Sequence, residues 1–377
     1  MKNSKFDDLR PYYDEEINPA MNRLADNAYF PLLSAFAFPD TNPEKIRSIV
    51  RNIRTIDEFQ SQIMKTANEQ IIARSITSLT SEGIENLDKN RRYLFISNHR
   101  DIMLDASLLQ YILVTSGYRT SEITFGSNLM NPELVVDIGK SNKMFKVIRE
   151  GNIKDLYTHS LHLSEYIRYV LLEKRESVWI AQRNGRTKNG IDATDRGIIK
   201  MLYLSKPGNP VKALAELNIV PVSVSYQWES CDFLKAEELY LLQKQGKYVK
   251  QPGEDLHSIL TGIMQAKGAV HISIGTPLTE NDLSPLAGLP DNKFNKQAAL
   301  LIDKQIISGY RLSCNNYIAH DLRSGSNQYT QHYTEEEKKT FFNRYRQWLS
   351  SYLVDKQLLG SLFLDIYANP VNKLTSK

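Results

Sequence analysis

The stretch ISNHRDIMLDASLL, residues 96–109, sets His99 just after a short apolar run and Asp105 at the head of the next one. A histidine that removes a hydroxyl proton needs a partner to fix its tautomer and stabilise the imidazolium it becomes. A carboxylate in hydrogen-bond reach does both. Asp105 and Asp101 are the two candidates. On an ideal helix the six steps from His99 to Asp105 leave the side chains about 120° apart, so that pair closes only if His99 sits on an irregular loop. A plainer reading fits the same residues: an aspartate in the first turn of a helix, favourable against the helix dipole, behind an exposed loop histidine.

A second group follows an apolar run in VWIAQRNGRTKNG, where Arg183, Asn184, Gly185, Arg186 and Lys188 succeed one another. Glycine lets backbone come close to a phosphate, and clustered guanidinium groups hold an anion. A simple turn explains Asn184 and Asn189 but not the concentration of cations. In KMFKVIRE, Phe145 precedes Arg149, which is either a bidentate anion ligand or a solvated residue at a strand end. His159 and His162 have HxxH spacing without a third ligand, so no metal site is expected.

These residues need elements to place them. Leu94–Ser97 should be a strand that delivers Asn98 and His99 to the carboxyl edge of a sheet, where open α/β folds keep their sites. Ala106–Leu109 should continue a helix that Asp105 begins. RYLFIS, SEITFGS, MFKVIRE, SVWIAQ, IVPVSVSY and AVHISIG alternate with helical stretches, which predicts an α/β fold with a mixed, largely parallel sheet flanked by helices. Helical N-terminal and C-terminal segments should enclose it, with boundaries at 1–78, 79–285 and 286–377.

In the first segment Asn42 caps a helix with Pro43 and Glu44 in its first turn, and Ile46, Ile49, Val50, Ile53, Ile56 and Phe59 recur at helical spacing. In the last, Thr334 and Glu337 fit a capping box ahead of an aromatic stripe of Phe341, Phe342, Tyr345, Trp348, Leu349, Tyr352 and Leu353. Such a stripe is a docking face onto the core domain or, less often, a partner or membrane surface.

The composition is that of a folded globular chain, with 41% apolar and 24% charged residues in 377. A net charge of +4 is too small and dispersed for a nucleic-acid footprint, yet it suits an anionic surface or substrate. Cys231 and Cys314 have no CxxC spacing. A reducing compartment, the cytoplasm, is therefore expected. No secretory leader or membrane-spanning run is evident, and YFPLLSAFAF, Tyr29–Phe38, is either a core segment or a shallow interfacial anchor.

Taken in order, these motifs resemble the glycerolipid acyltransferase family, which includes glycerol-3-phosphate and lysophosphatidate acyltransferases, over roughly residues 79–280. NHRDIMLD is similar to the family's first motif, with one extra residue between His99 and Asp105. KMFKVIRE resembles the second through Phe145 and Arg149, and RNGR the third, with Asn184 where the family has Glu and no residue between Gly185 and Arg186. NIVPVSVSY matches the fourth through Val220 and Pro221, and VHISIGTPL resembles the closing strand and turn, with His271 on its polar face.

The resemblance implies transfer of a fatty acyl group from an acyl thioester to the hydroxyl of a glycerol-phosphate-type acceptor. His99 would be the general base held by Asp105, while Arg149, Arg183, Gly185 and Arg186 bind the acceptor phosphate. Asn98, Asp101, Phe145 and Lys188 would stand nearby, and Pro221 would line the acyl site. It implies no cofactor, acyl-coenzyme A or acyl-acyl carrier protein as donor, and peripheral contact with the inner face of the membrane. Two other readings stay open: a different lyso-lipid or amine acceptor, motivated by Asn184, and a lipid-binding homologue without catalysis.

Overall fold

The structure is a computed structural model that describes residues 4–130, 133–148 and 150–375. Seven strands form one sheet: β1 (Ile76–Glu82), β2 (Leu94–Ser97), β3 (Ser121–Gly126), β4 (Met144–Val147), β5 (Ser177–Ala181), β6 (Ile219–Tyr226) and β7 (Gly268–Ile274). Their order is β1-β7-β6-β2-β5-β3-β4. Every neighbouring pair is parallel except β6 with β7. The fold is thus α/β with a mixed, largely parallel sheet.

The central strands are apolar on both faces because helices cover both. Leu94, Ile96, Val178 and Ile180 point into one cluster with Phe145 and Tyr166, while Phe95, Trp179, Val222 and Val224 point into the other. Pro221 is buried within β6. Its carbonyl accepts from Gly275 N at 2.8 Å, and the ladder with β7 starts only at Val222 opposite Ile274. The donor that proline lacks therefore falls where β7 has ended.

Among the described residues, five α-helices precede β1: α1 (Asp14–Asp26), α2 (Phe30–Ala37), α3 (Pro43–Asn52), α4 (Ile56–Phe59) and α5 (Lys65–Ser75), with a π turn at Gln60–Met64. The helical periodicity from Ile46 to Phe59 is broken after Asn52, because Thr55 and Glu58 form a capping box that starts a new helix. Strand β1 begins at Ile76, inside the last three residues of the segment read as helical. It escapes an apolar pattern because it is an edge strand whose burial is confined to Ile76 and, in part, Leu79. In Tyr29–Phe38, Phe30, Ser34 and Ala37 face inward, leaving Tyr29 and Leu32 exposed.

Between the strands lie α6 (Leu104–Thr115), α7 (Glu133–Ser141), α8 (Ile153–Arg168), α9 (Arg196–Leu204), α10 (Pro210–Ala215), α11 (Asp232–Gln245) and α12 (Glu254–Met264). After β7 come α13 (Glu280–Leu283), α14 (Asp291–Gly309), α15 (Cys314–Ser324), α16 (Glu335–Ser350) and α17 (Lys356–Thr375). Thr334 caps α16 through Glu337 N, and Phe341 and Trp348 are buried against Phe363 of α17. Phe233 of α11 stacks on Trp348 at 4.7 Å. Leu353, at the end of the stripe, is fully exposed.

Candidate active site

Strand β2 ends at Ser97, and the next two residues carry the site. Asn98 is buried and replaces backbone pairing with its side chain: Nδ2 donates to Val224 O at 3.0 Å and Oδ1 accepts from Val224 N at 2.8 Å. It locks the end of β2 to β6. His99 follows on an irregular turn before α6, which lets its ring meet a carboxylate that an unbroken helix would turn away.

That carboxylate is Asp105, fully buried in the first turn of α6. His99 Nδ1 lies 3.1 Å from Asp105 Oδ2, which also accepts Arg100 N at 2.6 Å and Asp101 N at 2.9 Å. Asp105 Oδ1 accepts the Tyr226 hydroxyl at 2.8 Å. Burial, then the neighbouring carboxylates Asp105 and Asp101, push the Tyr226 pKa well above the usual phenol range, so it stays a neutral donor. Both carboxylate oxygens are engaged, which fixes the carboxylate plane and places the Nδ1 proton toward it. The His99 side chain is 14% exposed, and its Nε2 has no partner among the described residues. Trp179 presents its ring at 73° to the imidazole, 6.2 Å between centroids.

Asp101 is turned elsewhere. Its Oδ1 accepts Met103 N and Leu104 N, both at 2.8 Å, and its Oδ2 accepts the Ser230 hydroxyl. It therefore caps the start of α6 and does not orient the histidine. Although burial opposes its charge, those hydrogen bonds and Lys267 hold its carboxyl below the ordinary range.

The arginine-bearing loop after β5 folds over the histidine loop: Thr187 N donates to His99 O at 2.6 Å. Asp192 clamps the two together, accepting Thr187 Oγ1 at 2.7 Å, Asn98 Nδ2 at 3.1 Å and Arg100 NH2 at 2.6 Å. Arg100 is fully buried, and burial works against its charge. Asp192 and Glu229 outweigh that and hold the guanidinium well above its ordinary pKa. Lys235 completes the cluster, donating to Glu229 Oε1 and to Arg100 O, both at 2.7 Å. Sequence reading passed over Arg100, Asp192, Tyr226, Glu229 and Lys235; Arg100 and Tyr226 lay inside quoted motifs without being singled out, and Asp192, Glu229 and Lys235 come from outside them.

Beside this loop a groove of about 350 Å³ opens at the ends of β4 and β5. Val147, Ile180, Leu163 and Met201 give it an apolar wall, while Arg183, Asn184 and His159 add polar groups. Ala181, also on the wall, pairs with Ser97 two residues before His99. Three buried donors in this region, Trp179 Nε1, Gln182 Nε2 and Arg186 NH1, have no partner among the described residues. Unpaired buried donors are uncommon. These three come from β5 and the five residues after it.

Gly185 has φ +70° with open space where a side chain would stand, so glycine serves the left-handed turn rather than close approach. Several expected site residues lie elsewhere. Lys188 is paired with Glu238 of α11. Phe145 is wholly buried against Tyr166, at 5.0 Å between rings, because its side of β4 faces the core. Pro221 is locked inside the sheet and lines no part of the groove. Arg149 lies outside the described residues. His271 lies on the face of β7 opposite Val270 and Ile272, as its alternation with them implies, but it is buried there beside the edge strand β1; its Nδ1 is 2.8 Å from Thr80 Oγ1. His162 binds Asp8 at 3.0 Å. Among the described residues no three His, Cys, Asp or Glu side chains gather as a metal site.

Residues 78–225, from β1 through β6, match the family model described as Acyltransferase. Among solved structures, the chain is similar to the 1-acyl-sn-glycerophosphate (LPA) acyltransferase PlsC from Thermotoga maritima, at 15% identity and a TM-score of 0.38, over 78% of this chain and 94% of that one. No curated protein matches. At that TM-score the structural likeness carries no argument. The matched segment, residues 78–225, holds the histidine, its carboxylate and the arginine loop.

Proposed function

We propose that the protein transfers a fatty acyl group from an acyl thioester to the hydroxyl of a glycerol-phosphate-type lipid acceptor. The observation that carries this reading is the His99–Asp105 contact at 3.1 Å, with the carboxylate otherwise saturated and Nε2 turned away from it. His99 Nε2 takes the acceptor's hydroxyl proton as the oxygen attacks the thioester carbonyl. The C–S bond then breaks, and the thiolate leaves with the proton returned by the imidazolium. Asp105 stabilises that imidazolium but stays ionised. Because a thiolate leaves readily, the rest of the acceleration is the orientation of two bound substrates.

Arg183 and Arg186 supply cations for the acceptor phosphate, Arg186 with a buried nitrogen still to be paired. The apolar groove suits an acyl chain. Asn184, exposed at the groove where the family carries Glu, favours a second reading in which the acceptor is another lyso-lipid or an amine.

The test is thiol release from palmitoyl-coenzyme A and palmitoyl-acyl carrier protein, with glycerol-3-phosphate, lysophosphatidate or other lyso-acceptors, in wild type and His99→Ala. Acceptor-dependent release that disappears in the variant supports the reading. Release that is absent with every acceptor, or indifferent to the substitution, sinks it.

A further inference from the structure

Strands β6 and β7 are antiparallel neighbours, a pair that a two-residue turn can join, yet residues 227–267 lie between them and include α11 and α12. Helix α12 runs over the carboxyl edge of the sheet. At its start Asp255 accepts Asn128 Nδ2, just past β3, at 2.9 Å. In its middle Ser258 O receives the Cys231 thiol at 3.2 Å. Near its end Gly262 packs so closely on Asp101 that a Cβ there would strike the carboxylate. The inner face of α12 thus roofs the histidine loop.

Its outer face carries Leu256, Leu260 and Met264, four residues apart on one stripe and 52%, 53% and 65% exposed. A second ridge stands at the same edge, where β4 leads into α8: Ile153 is 88% and Tyr157 57% exposed, next to Leu156 on the wall of the groove. Exposed lysines flank both ridges, Lys247 on the approach to α12 and Lys154 beside Ile153, while Lys250 is already paired with Asp255.

We propose that the outer stripe of α12 and the first turns of α8 dock on an anionic lipid bilayer and set the histidine loop at its surface. Apolar side chains edged by lysines suit insertion just below anionic headgroups. The scale also fits. The thickness of one helix, about 10 Å, is less than the roughly 15 Å of hydrocarbon in one leaflet, so a lipid can bring its headgroup to His99 while part of its chain stays in the membrane. This last argument rests on the lipid acceptor proposed above; the two apolar ridges do not.

The experiment is sedimentation of the full chain with phosphatidylcholine vesicles, with and without phosphatidylglycerol, for wild type, Leu260→Asp/Met264→Asp, Ile153→Asp and His99→Ala. Wild type and His99→Ala should pellet with the anionic vesicles, less so at high salt. The α12 and α8 variants should lose at least about tenfold in vesicle partitioning, with unchanged thermal melts because these side chains are exposed. Wild type that stays in the supernatant at low salt, or variants that bind as wild type does, overturns the proposal. So does a stripe whose substitution dissolves a dimer without any vesicle binding. Vesicle binding without thiol release on any acceptor would instead overturn the acyl-transfer reading and leave the docking face standing.

Discussion

Replacing Asp105 by Asn separates the charge of this carboxylate from its hydrogen bonds. Oδ2 accepts two backbone N–H groups, from Arg100 and Asp101, as well as the histidine. An amide that turned its NH2 toward them would leave two buried donors unpaired, at about 1–3 kcal/mol each, so the amide oxygen should remain there. The NH2 then faces Tyr226, whose hydroxyl can rotate to accept. His99 keeps its tautomer, and what disappears is the negative charge beside the forming imidazolium. Two charges about 4 Å apart attract by about 4 kcal/mol at an effective dielectric of 20. Allowing half of that for solvent reaching a histidine side chain 14% exposed leaves about 2 kcal/mol. At 1.36 kcal/mol per decade, kcat should fall by about 30-fold to 1000-fold. Asp105→Ala is a poorer probe because it strands both backbone donors and lowers stability. The assay is steady-state thiol release with a melt of the same preparation. A kcat within about threefold of wild type, with the melt unchanged, would refute the role given to Asp105; activity lost together with the cooperative melt would make the residue structural.

Arg186→Gln should raise KM for a phosphorylated acceptor by at least about tenfold with a smaller change in kcat, whereas Lys188→Gln should barely alter KM because Glu238 already takes that charge; equal effects in acceptor titrations would contradict this division. Gly190 has φ +76°, and a side chain there would run into the backbone carbonyl of Ile366. Gly190→Ala should therefore cost roughly 3 kcal/mol or more, read from the denaturant midpoint, and an unchanged midpoint would show that α17 yields easily. His271 is held below the usual histidine pKa by burial and by the like charge of Arg311, against the pull of Glu82. The unfolded chain then takes up the proton first as pH falls through about 6.5, so stability drops from pH 7 downward until the folded-state pKa is passed. His271→Asn should flatten that part of the curve, and equally steep melts in both proteins would rule the histidine out as its source.

The elements of the fold were legible where burial leaves a one-dimensional signature. β2, β5 and β6 are short runs apolar at nearly every position, because both faces of the sheet are covered. The first turn of α16 was legible because a capping box is local, Thr334 to Glu337. β1 was not, since an edge strand that buries little beyond Ile76 has no apolar pattern to show, and its pairing with β7 joins residues about two hundred positions apart. The break at Thr55 was hidden by isoleucines on either side of it that keep helical spacing while belonging to separate helices.

At the site, the ring of His99 and the carboxylate of Asp105 lie six residues apart, close enough for spacing to pose the question. Spacing alone did not choose between Asp101 and Asp105, because either can stand at the head of α6. The choice falls out of donors that come from far along the chain: Ser230 and the helix amides take Asp101, and Tyr226 with the loop amides takes Asp105. The cations divide the same way. Arg183, Arg186 and Lys188 look alike in sequence, yet Glu238 on α11 removes Lys188 from the set, while Arg186 keeps a buried nitrogen without an acceptor among the described residues. What separates the candidate residues here is therefore less their type than whether the fold has already satisfied them. A donor or acceptor spent on a distant partner holds the structure together, and one left buried and unspent is where a substrate gains most by binding.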